Sequence, residues 1–238
     1  NQSYEKTQDG IIVSLQQDQP TDAKKVRLQV INDKIIHVSA TPEKDFSGEK
    51  SLIIVPQTGQ RTPLTLEETD SALTLKTAAL QVSVQKRTGE VNFADMNGNS
   101  ILRENEGGGK TFTPITVEGT KGYSTRQVFE SPDDEAFYGL GQHQADEFNY
   151  KGKNEALFQY NTKVSIPFIV STKNYGILWD NYSLNRFGDD RDYSQLNENF
   201  KLFDASGKEG GLTAVYTPAK KDASPVTRIE SSIFYEDI

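Results

Sequence analysis

Between Glu135 and Gly188 the chain is dense in aromatic rings, glycines and amides: Phe137-Tyr-Gly-Leu-Gly-Gln142, Phe148-Asn-Tyr-Lys-Gly-Lys153, Phe158-Gln-Tyr-Asn-Thr162 and Tyr175-Gly-Ile-Leu-Trp-Asp-Asn-Tyr-Ser183. Rings that pack on apolar C–H faces, beside amides and hydroxyls that meet fixed hydroxyl groups, are the chemistry of a sugar site. Tyr and Phe are equally ordinary core residues of a β-sandwich, so composition leaves both readings open. Acids come in neighbouring sets, Asp133-Asp134-Glu135, Glu67-Glu68 and Asp189-Asp190. Retaining cleavage of a glycosidic bond takes two carboxyls about 5–5.5 Å apart in different protonation states. Adjacent loop acids do not supply that arrangement and read as solvated, and none fits a calcium loop.

The chain has two histidines. His37 lies in the alternating stretch Ile35-Ile-His-Val38 and reads as a strand residue facing solvent or a hydrogen-bond partner. His143 follows Gly139-Leu-Gly-Gln142 and is assigned no catalytic role. Their separation offers no metal-ligand spacing, and the chain has no cysteine, which excludes disulfides, thiolate chemistry and cysteine-rich zinc sites. Gly109-Lys110-Thr111 ends like a phosphate-binding loop, but Glu104 stands where that pattern needs its first glycine. Glu104–Lys110 and Asp204–Gly211 therefore read as surface glycine loops. No catalytic residue, metal or cofactor is expected.

A net charge of −8 argues against nucleic acid, because an acidic surface gains nothing from counterion release. Charged residues make up 25% and apolar residues 34% of the chain, a globular composition. No apolar run reaches the roughly 18–20 residues of a membrane-spanning helix. The chain starts at Asn1 without methionine and shows no signal peptide; the expectation is a processed terminus on an exported bacterial protein, periplasmic or at the cell surface.

Strand periodicity must position these residues. Val26, Leu28 and Val30 alternate with polar residues, as do Leu80, Val82 and Val84, and more briefly Leu73 and Leu75. Such alternation marks half-buried strands. Gly10–Leu15 and Leu52–Val55 read as strands packed on both sides. Thr88-Gly89, Asn97-Gly98 and Lys173–Gly176 punctuate these runs as turns. The pattern predicts an all-β, antiparallel β-sandwich, with one short helix at 218–223.

Four blocks in a fixed order carry a resemblance. Tyr138-Gly-Leu-Gly-Gln142 is followed by Gln159-Tyr-Asn-Thr162, then by Ile166-Pro-Phe168 and by Tyr175-Gly-Ile-Leu-Trp-Asp180. Together they resemble the N-terminal domain of glycoside hydrolase family 31, the α-glucosidase and α-xylosidase family. The resemblance implies a galactose-mutarotase-like sandwich over 1–238, with 225–238 leading toward a (β/α)₈ catalytic barrel that needs about 250 residues of its own. It implies that the barrel holds both catalytic carboxyls and is this domain's partner. It also implies that a sandwich loop, here Asn161 and Thr162 with Lys163 next, touches an oligosaccharide or glycoside substrate. Relatives carry Asp where this chain has Asn161. Asp95-Met-Asn97 looks like the core of the family's nucleophile motif, but Gly98 stands in place of its Glu, and the triplet reads as a hairpin turn. A free-standing carbohydrate-binding module and a mutarotase-like epimerase are the alternatives. Such modules present exposed tryptophans, whereas Trp179, the chain's one tryptophan, lies in an apolar hairpin. The histidines lack the acid/base partners an epimerase needs.

Overall fold

The computed structural model describes residues 4–48, 50–55, 61–144, 148–188, 196–219 and 224–232. Four strands, β1 (Tyr4–Lys6), β2 (Gly10–Ser14), β3 (Lys25–Asn32) and β4 (Ile35–Thr41), pair antiparallel in sequence order. Five more, β5 (Thr65–Glu68), β6 (Ala72–Lys76), β7 (Gln81–Gln85), β8 (Val91–Ala94) and β9 (Ser100–Arg103), form a second meander. The alternating residues point inward from both sheets. Val13, Val26 and Leu28 meet Leu73, Val82 and Val84 in one fully buried cluster, which is the sandwich core. The Thr88-Gly89 and Asn97-Gly98 turns join strands as expected, and Asp95 caps the latter by accepting hydrogen bonds from the Asn97 and Asn99 amides at 2.8 and 2.9 Å. A hairpin of β10 (Lys110–Val117) and β11 (Thr120–Gln127) follows.

The sequence misled at two places. Leu52–Val55 forms no strand, and its four side chains stand in the open. Ser51 instead ties the segment to Asp180 (2.9 Å), and the Leu52 amide donates to the Tyr182 hydroxyl. An apolar run gives no strand without a neighbouring edge to pair with. The glycine loop from Glu104 to Lys110 is also more than a surface loop. Its charged ends are buried against one another, and Glu104 further accepts the Val91 amide at 2.7 Å. Burial raises the Glu104 carboxyl from 4.5 to about 7 and lowers the Lys110 ammonium; their mutual attraction opposes both shifts without cancelling them.

The aromatic-rich region builds two smaller sheets from β12 (Phe137–Gln142), β13 (Glu155–Leu157), β14 (Val164–Ser171), β15 (Gly176–Leu178) and β16 (Asn185–Phe187). β14 lies between β12 and β15, while β13 pairs with β16. Phe137, Leu140, Tyr150, Leu157 and Ile169 form their core. The chain groups into two compact units, 1–189 and 190–238. The second holds α1 (Leu196–Asn199) and a hairpin of β17 (Leu212–Tyr216) and β18 (Val226–Glu230). The expected helix at 218–223 and the expected lead-out from Ile233 fall largely outside the described residues.

Gly139, Leu140 and Gly141 all adopt positive φ, at 121°, 64° and 102°. There the ladder breaks: Gly139 pairs with Ile169 but Gly141 with Ser165, so Leu140 alone faces three residues. Pro167, which has no N–H to offer, falls in that gap. A Cβ on Gly141 would lie 2.1 Å from the Val164 carbonyl oxygen. Gly141→Ala is therefore expected to cost about 2 kcal/mol or more, against about 1 kcal/mol for Gly98→Ala, where φ is 86° but nothing lies within 4 Å; chemical denaturation of both variants checks this. The Glu104 carboxyl gives a second expectation. Its proton is held in the folded chain up to about pH 7, so its stabilising contribution is complete below its ordinary pKa of 4.5 and is lost as the pH rises through about 7. Denaturation at pH 5 and pH 8 is expected to show that loss in the parent chain and not in Glu104→Gln.

Candidate functional site

Asn161 and Thr162 occupy the two corners of a tight turn. Tyr160 and Lys163 close it: the Lys163 amide donates to the Tyr160 carbonyl at 3.0 Å, with a longer reciprocal bond of 3.4 Å. Both corner side chains are exposed, so an amide and a hydroxyl stand free to meet a ligand. Before the turn, the rings of Phe158 and Tyr160 stack at 5.4 Å with 28° between their planes, and both are about half exposed. Gln159 braces the base of the turn by accepting the Ser165 amide, and the Ser165 hydroxyl donates to the Phe158 carbonyl at 2.9 Å.

A groove of about 360 Å³ opens beside the turn, lined among others by Phe158, Gln159, Ser165, Tyr182, Ser183 and Asn185. Its far wall is fixed by hydrogen bonds. Trp179 Nε1 donates to Asn185 Oδ1 at 3.2 Å, and the Tyr182 hydroxyl donates to Asp180 at 3.0 Å. Trp179 thus serves the wall with its indole N–H instead of presenting an open ring face. Stacked rings, amides and hydroxyls around a concave surface suit a pyranose, whose C–H faces and hydroxyls alternate.

Lys163, the third expected contact, is placed differently from its neighbours. It is 9% exposed, and its ammonium turns inward to the Glu155 carboxylate and to the Ala156 carbonyl oxygen at 2.7 Å. It also lies 5.0 Å from the Phe158 ring centroid. His143 backs the same carboxylate: its side chain is 2% exposed, and Nδ1 lies 3.2 Å from Glu155 Oε1, off the line of a good hydrogen bond. Nothing in the sequence flags Glu155. His143, Glu155 and Lys163 sit at unpatterned separations and meet only because β12, β13 and the turn converge.

The other candidates are accounted for by structure. His37 stands on β4 with Nε2 3.5 Å from the Ser39 hydroxyl, and burial first and Arg27 second hold it below the ordinary histidine range. Asp134 pairs with Lys173, while Glu67 and Glu68 pair with Lys76 and Lys86. Glu135 is buried and accepts the Ser171 hydroxyl. Burial, with Glu135 beside it, pushes the Tyr175 hydroxyl far above its ordinary value. Asp189-Asp190 lies outside the described residues. Among the described residues no group of three or more acids and histidines is placed to hold a metal ion, and no helix is long and apolar enough to cross a membrane.

Residues 25–187 match the family model described as the glycosyl hydrolase 31 N-terminal galactose mutarotase-like domain. The chain is 32% identical over 201 residues to an α-xylosidase of Saccharolobus solfataricus, covering 80% of this chain and 26% of that protein. It is 25% identical to an uncharacterised family 31 glucosidase of Pseudescherichia vulneris, of which it covers 35%. It therefore spans about a quarter to a third of these curated relatives. The crystal structure of a GH31 α-xylosidase from Xanthomonas citri superposes with a TM-score of 0.78 at 42% identity, over 95% of this chain and 24% of that one. A Flavobacterium johnsoniae GH31 dextranase shares the fold at 21% identity and a TM-score of 0.61, over 78% of this chain and 22% of that one.

The contrast between the turn's corners and its base is measurable. Lys163→Met leaves Glu155 buried without its cation and is expected to cost about 3 kcal/mol. Thr162→Ala, on an exposed corner, is expected to stay within about 0.5 kcal/mol of the parent. Urea titration of the two variants reads both values.

Proposed function

The chain belongs to the glycosyl hydrolase 31 N-terminal galactose mutarotase-like domain family, and on that premise we propose that it is the supporting domain of a retaining α-glycosidase of α-xylosidase or α-glucosidase type, lending the Asn161–Thr162 turn to the substrate pocket. The observation that carries the reading is the exposed turn, braced from below and flanked by the Phe158–Tyr160 stack and the groove. The turn offers neutral hydrogen bonds to sugar hydroxyls, and the rings offer apolar faces. Neither supplies the paired carboxyls that retaining hydrolysis requires, so in this reading the chemistry belongs to a (β/α)₈ barrel elsewhere in the same protein. Residues 1–238 form the N-terminal region, with 225–238 leading onward. β14 supports a docked partner, because Val164, Ile166, Phe168 and Val170 turn an apolar row outward of a kind that proteins seldom leave uncovered.

The parent gene is expected to encode a barrel beyond Ile238 that carries an Asp-Met-Asn-Glu motif. In the full-length enzyme, Asn161→Ala and Thr162→Ala are each expected to lower kcat/KM about two- to twelve-fold, the worth of one neutral hydrogen bond of roughly 0.5–1.5 kcal/mol, with unchanged thermal melts. The isolated 238-residue chain is expected to hydrolyse neither aryl α-xylosides nor aryl α-glucosides. Unchanged kinetics in both variants would remove the turn from the pocket, and tight sugar binding by the isolated chain, with no barrel in the gene, would make it a free-standing carbohydrate-binding module.

A further inference from the structure

We propose that Glu155 is a positioning residue for the sugar-facing turn, fixing Asn161 and Thr162 through Lys163. The proposal rests on the reading that this turn meets substrate. Lys163 is the last residue of the turn, so wherever its side chain is anchored, the two corners before it are anchored too. The anchor has little freedom: the ammonium reaches Glu155 and the Ala156 carbonyl from a site 9% exposed, and it lies 5.0 Å from the centre of the half-exposed Phe158 ring. Glu155 begins β13 and is paired through the ladder with Phe187, which packs on the buried cluster. The acid is thus tied to a rigid strand while the base belongs to the exposed turn. One contact carries the position of the sheet out to the corners.

His143 walls the other side of the acid. Its Nε2 lies 2.7 Å from the Leu140 carbonyl oxygen, which can only accept, so that nitrogen carries a proton. The bond fixes the ring's orientation and leaves Nδ1 3.2 Å from Glu155 Oε1, with no hydrogen bond between them. Leu140 is the left-handed residue of the Gly139–Gly141 bulge, its side chain plugged into the core. The bulge and the buried histidine pack beside the acid, and the tie to the turn runs through Glu155 and Lys163. The alternative, a buried pair that merely holds the fold together, predicts that weakening it unsettles the core at large and not the turn in particular.

Glu155→Gln keeps the side-chain shape and removes the charge. Two readouts on this variant separate the possibilities. In amide hydrogen exchange on the full-length protein, the Lys163 amide, bonded across the turn to Tyr160, is expected to exchange about tenfold or more faster, with Val82 and Val84 in the sandwich core unchanged. In steady-state kinetics, KM is expected to rise about two- to twelve-fold with kcat little changed, and adding Glu155→Gln to Asn161→Ala/Thr162→Ala is expected to give no further rise, because both changes act on the same contact. Unchanged exchange at Lys163 would overturn the positioning role and leave the proposed function standing. Faster exchange at Lys163 with KM unaltered in every variant would show a turn that is anchored but does not meet substrate, and both readings would fall. Losses that track a lowered melt and faster core exchange, or that add to those of the corner variants, would make the pair structural and overturn the proposal. Should Glu155→Gln fail to fold, Glu155→Gln/Lys163→Met, which leaves no buried charge unpaired, replaces it under the same outcomes.

Discussion

The close approach of β12 to β14 at Gly139–Gly141 is the constraint on which the aromatic half of the molecule depends. Three successive residues at positive φ are costly for any chain, and here two of them are glycines whose missing Cβ atoms would collide with β14 carbonyls. Leu140 accepts the strained middle position because its side chain is almost wholly buried there. The strain is offset by packing, and it turns the Leu140 carbonyl toward His143. A straight strand would point that carbonyl into the ladder, and the imidazole would have no partner at its inner nitrogen.

Buried charge recurs in this fold in a consistent way. Glu104 with Lys110 secures the glycine loop to the sandwich, Glu135 with Ser171 secures the start of β12 to the end of β14, and Glu155 with Lys163 secures the turn to β13. The two ion pairs among these add little net stability, because desolvation consumes most of the attraction. Their value lies in geometry, since a buried charge tolerates few alternative partners. Each joins a segment of irregular backbone to a regular strand, which is where apolar packing alone would leave position loosely defined.

The surface of the aromatic-rich region divides by chemistry. The groove and turn present rings, amides and hydroxyls, whereas β14 presents a row of aliphatic and aromatic side chains that alternate with inward-facing residues. In the proposed function the dry surface docks and the wet one binds. The matched region covers 24% of its Xanthomonas citri relative's length and 95% of its own.

The sequence by itself determined the class of fold, the hairpin order of the sandwich and the family. Alternation in Val26–Val30 and Val82–Val84, and turn residues at Thr88-Gly89 and Asn97-Gly98, are local properties, and local sterics and burial suffice to read them. It placed the turn at Asn161 and Thr162 through four ordered blocks. Leu52–Val55 escaped it, because a strand exists only if a partner edge does. The inward course of Lys163 and the part played by Glu155 escaped it as well. Whether a lysine reaches solvent or a carboxylate depends on which strand passes beneath it, and that strand is held there by pairing with β16, at a separation no periodicity records. Tertiary structure decided those contacts, because charge pairing in a low-dielectric interior is set by position in space and not by position along the chain.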